Sequence, residues 1–204
     1  MEGLAIRKAS AADLERIAEL VAGDPGQEAV ALAGCAEAAR AFGMALVRLT
    51  GSPQGWERST LAELDGRVVG VAQTSHGTES FPVTPRLVLV ALRTFGVGIV
   101  SVLGRARARH RVDIPHAKES YHVEELNVDP SYRSSGIGGA LLDEVEAQAR
   151  NAGLRMMSLN TTTVNPARRL YERHGFRVAE TRTDAVYERY TGIAGRHLMV
   201  KELL

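Results

Sequence analysis

Hydrophobic and polar positions first alternate along this chain and then settle into helical spacing. Leu4-Ala-Ile6-Arg-Lys8 has the two-residue period of a short strand. Ser10-Ala-Ala-Asp13 then has the form of a capping box, with Leu14, Ile17 and Val21 on one helical face, and Asp24-Pro25-Gly26 stops that helix. Residues 28–49 are rich in Ala, Leu and Val at helical spacing and predict one helix, ended by Gly51-Ser52-Pro53. Two alternating runs, 60–64 and 67–74, flank Asp65-Gly66 and predict a hairpin, because this dipeptide suits the left-handed conformations of a tight turn. Further on, 121–128 predicts a strand, Ile137–Asn151 a helix with the stripe Leu141, Leu142, Val145 and Ala149, and 155–160 another strand. A helix over 166–174 ending at Gly175, and strands near 176–180 and 197–201, complete the pattern.

The strand–helix–strand unit over 121–161 demands a parallel pair and the hairpin an antiparallel one, so a mixed sheet with helices on both faces is expected. Residues 82–111 stand apart. They carry an apolar run, then Arg105, Arg107, Arg109 and Arg111. The apolar part, 87–103, is shorter than the roughly 20 residues that a spanning helix needs, and Arg93 and Thr94 sit in its middle. It is therefore expected to be buried or pocket-lining, filling the core as an extra helix pair, with no membrane partner. The arginines are expected to form a solvated face.

Composition narrows the class. The 204 residues are 45% hydrophobic and 24% charged, an ordinary globular balance, and no low-complexity linker divides them, so one domain over 1–204 is expected. A single cysteine, Cys35, excludes an internal disulfide and a cysteine-built zinc site. Lys plus Arg number 25 against 24 Asp plus Glu, which argues against a nucleic-acid partner. The N-terminus lacks the apolar core of a signal peptide, and a cytoplasmic location is the default expectation. His76, His110, His116 and His197 show no metal-ligand spacing, so no metal is expected.

The chemistry lies in Arg133-Ser-Ser-Gly136-Ile-Gly138-Gly139, between a strand and a helix. The first amides of a helix lack intrahelical partners and its N-terminus is partly positive; glycines allow close approach, and Arg133 adds a cation. A pyrophosphate is the expected guest. A P-loop would need a lysine that is missing, and a dinucleotide fingerprint a third small residue where Leu141 stands.

Val128-Asp-Pro-x-x-Arg133-x-x-Gly136-Ile-Gly138 resembles the acetyl-coenzyme A signature of the GNAT superfamily of N-acyltransferases. Asn165-Pro-Ala-Arg-Arg-Leu-Tyr171-Glu-Arg-His-Gly-Phe176 is similar to its second signature, and His197-Leu-Met-Val-Lys-Glu-Leu203 to its closing strand. The resemblance spans nearly the whole chain. It departs at Ser134, where a glycine or basic residue is common, and at the insert over 82–111, which is longer than the connection of a minimal member.

The resemblance implies an α+β fold of three layers (α/β/α): a mixed, largely antiparallel sheet, with a helical insert between the third and fourth strands. It implies acetyl transfer from acetyl-CoA to the primary amine of a small molecule or peptide, without a metal. The backbone of Leu126, Asn127 and Val128 would hold the thioester and pantetheine, and Arg133, Ser134, Ser135, Gly136, Ile137, Gly138 and Gly139 the pyrophosphate. Tyr171 would be the general acid, unless it is simply a core tyrosine. Glu124 would be the general base, with His122 as the alternate, and Glu125 would contact the amine. By strand parity His122 and Glu124 share the face of Leu126 and Val128, while Glu125 points oppositely unless a bulge intervenes. Asn165 would bond the cofactor arm or cap the following helix. The insert could wall the acceptor site or make a dimer contact, and a homodimer is possible. A non-catalytic acyl-CoA sensor or interaction domain of the same fold is the alternative.

Overall fold

A computed structural model describes residues 3–49, 55–76, 83–117 and 119–203. Seven strands form one open sheet: β1 (Leu4–Lys8), β2 (Ser59–Leu64), β3 (Arg67–His76), β4 (Ser120–Val128), β5 (Met156–Thr162), β6 (Arg177–Thr183) and β7 (Gly195–Glu202), in the order β1-β2-β3-β4-β5-β7-β6. Only β4 and β5 are parallel; the other pairs are antiparallel, as the mixed-sheet expectation requires. The Asp65-Gly66 turn closes the β2–β3 hairpin with positive φ at both residues, 50° and 77°.

One face carries α6 (Ile137–Asn151), whose Ile137, Leu141, Leu142, Val145 and Ala149 are buried against Ala62, Ala72, Val123, Met157 and Met199. The other carries α1 (Leu14–Ala22) and α3 (Ala36–Arg48), where Ile17, Ala18 and Val47 pack on Leu61, Val68 and Val71. Helix α7 (Arg168–Arg173) is shorter than its sequence pattern, and α8 (Ala185–Thr191) was not read from the sequence at all. Its signal is Asp184, whose carboxylate accepts from the amides of Val186 and Tyr187.

Two expectations fail. The single helix over 28–49 is two, α2 (Gln27–Ala33) and α3, bent by 99°. Gly34 takes φ 99°, a left-handed stop, and extended Cys35 caps α3 through Sγ, which accepts from the Ala38 amide. The proposed stop at Gly51-Ser52-Pro53 lies outside the described residues. The insert is helical as expected, α4 (Pro85–Phe95) and α5 (Ile99–His110) joined by a 3₁₀ turn. It is not core filling: none of its apolar window is buried, and the run Pro85–His110 is long and apolar enough, by length and composition, to cross a membrane. The arginines divide, Arg109 pairing with Glu28 and Asp113 while Arg107 is exposed.

Candidate active site

The parallel ladder between β4 and β5 is short. Residues 120–123 pair with 156–159, and then the strands part. Beyond that point the β5-facing backbone of Leu126, Asn127 and Val128 is left out of the ladder, while β3 continues to pair on the opposite edge. A slot bounded by open backbone donors and acceptors is the result, and an extended amide-bearing chain can pair there as a strand would.

A bulge opens beside the slot. Gln73 opposes Glu125 and Thr74 opposes Val123, so Glu124 is the extra residue. The simple parity expectation for Glu124 is thereby overturned. Leu126 and Val128 pack toward the α6 core, whereas His122, Glu124 and Glu125 all line one cavity of about 790 Å³ between the sheet, α2 and α5. Glu124 Oε accepts from Ser75 Oγ at 2.5 Å, which fixes its carboxylate. A second cavity, of about 690 Å³, shares Glu125 and Asn165 with the first. Its walls are mainly apolar, with Leu32, Phe42, Leu46, Phe95 and Val102. The insert is thus pocket-lining on its inner side.

His122 is buried, and its hydrogen-bond chain assigns its tautomer. Ser120 Oγ donates to the Ala117 carbonyl, so Ser158 donates to Ser120, and His122 Nδ1–H donates to Ser158 at 2.8 Å. The lone pair is therefore on Nε2. Burial, then His116 and Arg196, hold the imidazole pKa well below its ordinary value, so the ring is neutral and weakly basic. Sequence reasoning assigned nothing to His116, yet its ring stacks on His122 at 3.4 Å, and both lie near Glu124. The two planes are 9° from parallel, so their in-plane lone pairs do not converge on one point. The pair is a neutral stack.

Tyr171 lies in the α6-side core against Phe176 and does not line either cavity. Burial, and then the charge of Glu125, push its phenol up to about 12. Asn165 is committed to its own chain: Oδ1 accepts from the Ala167 amide at 2.9 Å, and Nδ2 donates to Thr161 at 2.8 Å. Its side chain closes the turn that leads into α7, and the residue also lines both cavities.

At the end of β4, Asp129 accepts from Arg16 at 2.5 Å and from the Ser131 amide, and the chain then turns toward α6. The Arg16 hydrogen bond, first among several, lowers the Asp129 pKa, so this anchor stays charged. Ser134 and Gly136 have φ of 63° and 89°, alternating with extended Arg133, and the loop runs straight into the helix N-terminus. This concave backbone with the free amides of a first helical turn suits a phosphate. Gly138 and Gly139 serve a second need. A Cβ at Gly138 would lie 3.1 Å from Leu170, and one at Gly139 3.1 Å from His174, so their smallness lets α7 approach α6. Arg133 is exposed, 3.7 Å from Asp24.

A sequence model described as the acetyltransferase (GNAT) family matches residues 35–176. The chain belongs to the GNAT acetyltransferase family. No protein of curated function matches it by sequence. Solved GNAT-type structures share its fold. One, described as an acetyltransferase, is 22% identical with a TM-score of 0.61, over 98% of this chain and 100% of its own. PaiA N-acetyltransferase from Thermoplasma acidophilum, solved with coenzyme A, is 16% identical with a TM-score of 0.58, over 98% of each chain. An agmatine N-acetyltransferase is 19% identical with a TM-score of 0.57, over 99% of this chain and 100% of its own.

Proposed function

We propose that this GNAT protein is an N-acetyltransferase that moves an acetyl group from acetyl-CoA to a primary amine by direct attack. The observation that carries this reading is the bulge that sets Glu124 and Glu125 together beside the β4–β5 slot. Acetyl-CoA supplies the activated thioester. The loop over 133–139 suits its pyrophosphate, through backbone amides and Arg133, and the open edge of Leu126, Asn127 and Val128 suits its amide-bearing arm.

An acceptor amine has a pKa near ~10 and arrives mostly as ammonium. The two carboxylates attract that cation, and Glu124, held by Ser75, receives its proton as attack begins. Glu125 holds the amine. His122 is a poorer base, because its neutral ring has little affinity for a proton. Tyr171, at about 12, keeps its proton at neutral pH. A thiol ionises near ~8.5, so full transfer from a phenol pushed up by burial is uphill. Tyr171 therefore donates a hydrogen bond to the departing sulfur, and the thiolate takes the remaining proton from the acylated nitrogen as the tetrahedral intermediate collapses to amide and thiol.

Thiol release, followed over a panel of amines, tests the reading. Glu124→Gln is expected to lower kcat by about 10²–10⁴-fold and to change the pH–rate profile. An unmoved profile rejects Glu124 as base. Tyr171→Phe is expected to lower kcat with little change in acetyl-CoA affinity; an unchanged kcat removes its role.

A further inference from the structure

The sequence-based expectation of no membrane partner rested on burial of the insert, and the insert is not buried. Leu89 and Leu92 on α4, and Val100, Leu103 and Arg107 on α5, follow at intervals of three or four residues within each helix, and all five are exposed. Val100 is 75% exposed, and the neighbouring Val97 is fully exposed. The two helices together run over 26 residues, so this is an extended apolar surface rather than scattered single residues.

Charge decides what covers it. Residues 83–112 contain six arginines and no aspartate or glutamate. Arg109 turns inward to Glu28 on α2, and Arg105 lies against Gly34. Arg86, Arg93 and Arg107 are exposed along the stripe. A second copy docked isologously on this face would bring arginine toward arginine with no carboxylate on the element to neutralise them. An anionic bilayer offers both missing complements, an apolar medium for the leucines and valines and phosphate or carboxylate groups for the arginines.

We propose that the α4–α5 face seats this protein on the surface of an anionic lipid membrane. The helix lies along that surface and does not cross it. Phe95, midway along the run, packs its ring on Phe42 of α3 at 5.0 Å, and Ala108 and Val112 are buried in the body. One side of the helix is thus held by protein throughout. The apolar side chains enter the lipid boundary, and the arginines meet the headgroups.

The test is co-sedimentation of the full-length protein with phosphatidylcholine vesicles, with and without a minority of phosphatidylserine. Binding is expected only with phosphatidylserine and is expected to weaken as salt rises. The Arg86→Gln, Arg93→Gln, Arg107→Gln triple variant should lose on the order of 100-fold in affinity, at about fivefold per arginine. The Leu89→Glu, Val100→Glu, Leu103→Glu variant should not bind, while circular dichroism shows the fold intact, since all three side chains are exposed. Equal pelleting by wild type and variants overturns the proposal. So does a wild-type dimer in sedimentation equilibrium that the glutamate variant abolishes without any vesicle binding, and so does bound protein that resists alkaline carbonate extraction, which would mean a spanning helix.

Discussion

Helix α6 and the α4–α5 run have similar apolar stripes and opposite fates. In α6 five apolar side chains are buried in the main core, while the insert shows Leu89, Leu92, Val100 and Leu103 to solvent. Periodicity states that a face needs a partner; it does not state whether that partner is the rest of the chain. For α6 the partner is fixed by connection, because a helix between two parallel strands must lie on the sheet they share. No such constraint acts on a helix inserted between antiparallel β3 and β4.

The largest effect that sharpens this contrast is Leu141→Ala. A fully buried leucine becomes a cavity, and a loss of about 3–5 kcal/mol is expected in denaturant unfolding. Next comes the tether between insert and body. Glu28 accepts from Tyr187 at 2.7 Å and pairs with Arg196 and Arg109, joining α2, α5, α8 and β7. Burial pushes its pKa up, but Arg196 and Arg109 outweigh it, and the net direction is down. A carboxylate lowered on folding stabilises above its unfolded value of about 4.3, and that contribution is lost as pH falls through the folded value. Glu28→Gln is expected to cost about 3 kcal/mol at neutral pH by taking the paired carboxylate from buried Arg196. It should also flatten the acid side of the stability–pH curve, and an unchanged acid slope would show that the tether does not carry charge. The smallest effect is Leu89→Ala, expected within about 0.5 kcal/mol in aqueous unfolding, because this side chain has little burial to lose. A cost near that of Leu141→Ala would show that the insert face is covered in solution.

Much of the fold was legible. The hairpin, β4, α6 and β5 lie where alternation, the Asp-Gly turn and the helical stripe place them, since each signal is local. The break at Gly34 was missed because Ala-rich flanks keep the same composition across it. Helix α8 was missed because its cap, Asp184, stands among polar residues that hide the pattern. At the site, the loop over 133–139 could be read because a helix N-terminus and its glycines are contiguous in sequence. The partners of the carboxylates could not. Ser75 reaches Glu124 only through the register of β3, and His116 reaches His122 only through the chain's return after α5.

By itself the sequence determined the order of most elements, the family, the glycine loop over 133–139 and the candidates Glu124, Glu125, His122 and Tyr171, because these depend on neighbours a few residues apart. The tertiary structure decided how they are placed. It inserted the bulge that turns Glu124 to the same cavity as Glu125, stopped the β4–β5 ladder at Val123, and bound the Asn165 side chain into the turn before α7. It also left the insert's apolar face uncovered. These outcomes depend on register and on which surfaces meet, and a strand's pattern fixes its own two faces but not the residue that a neighbouring strand sets against it.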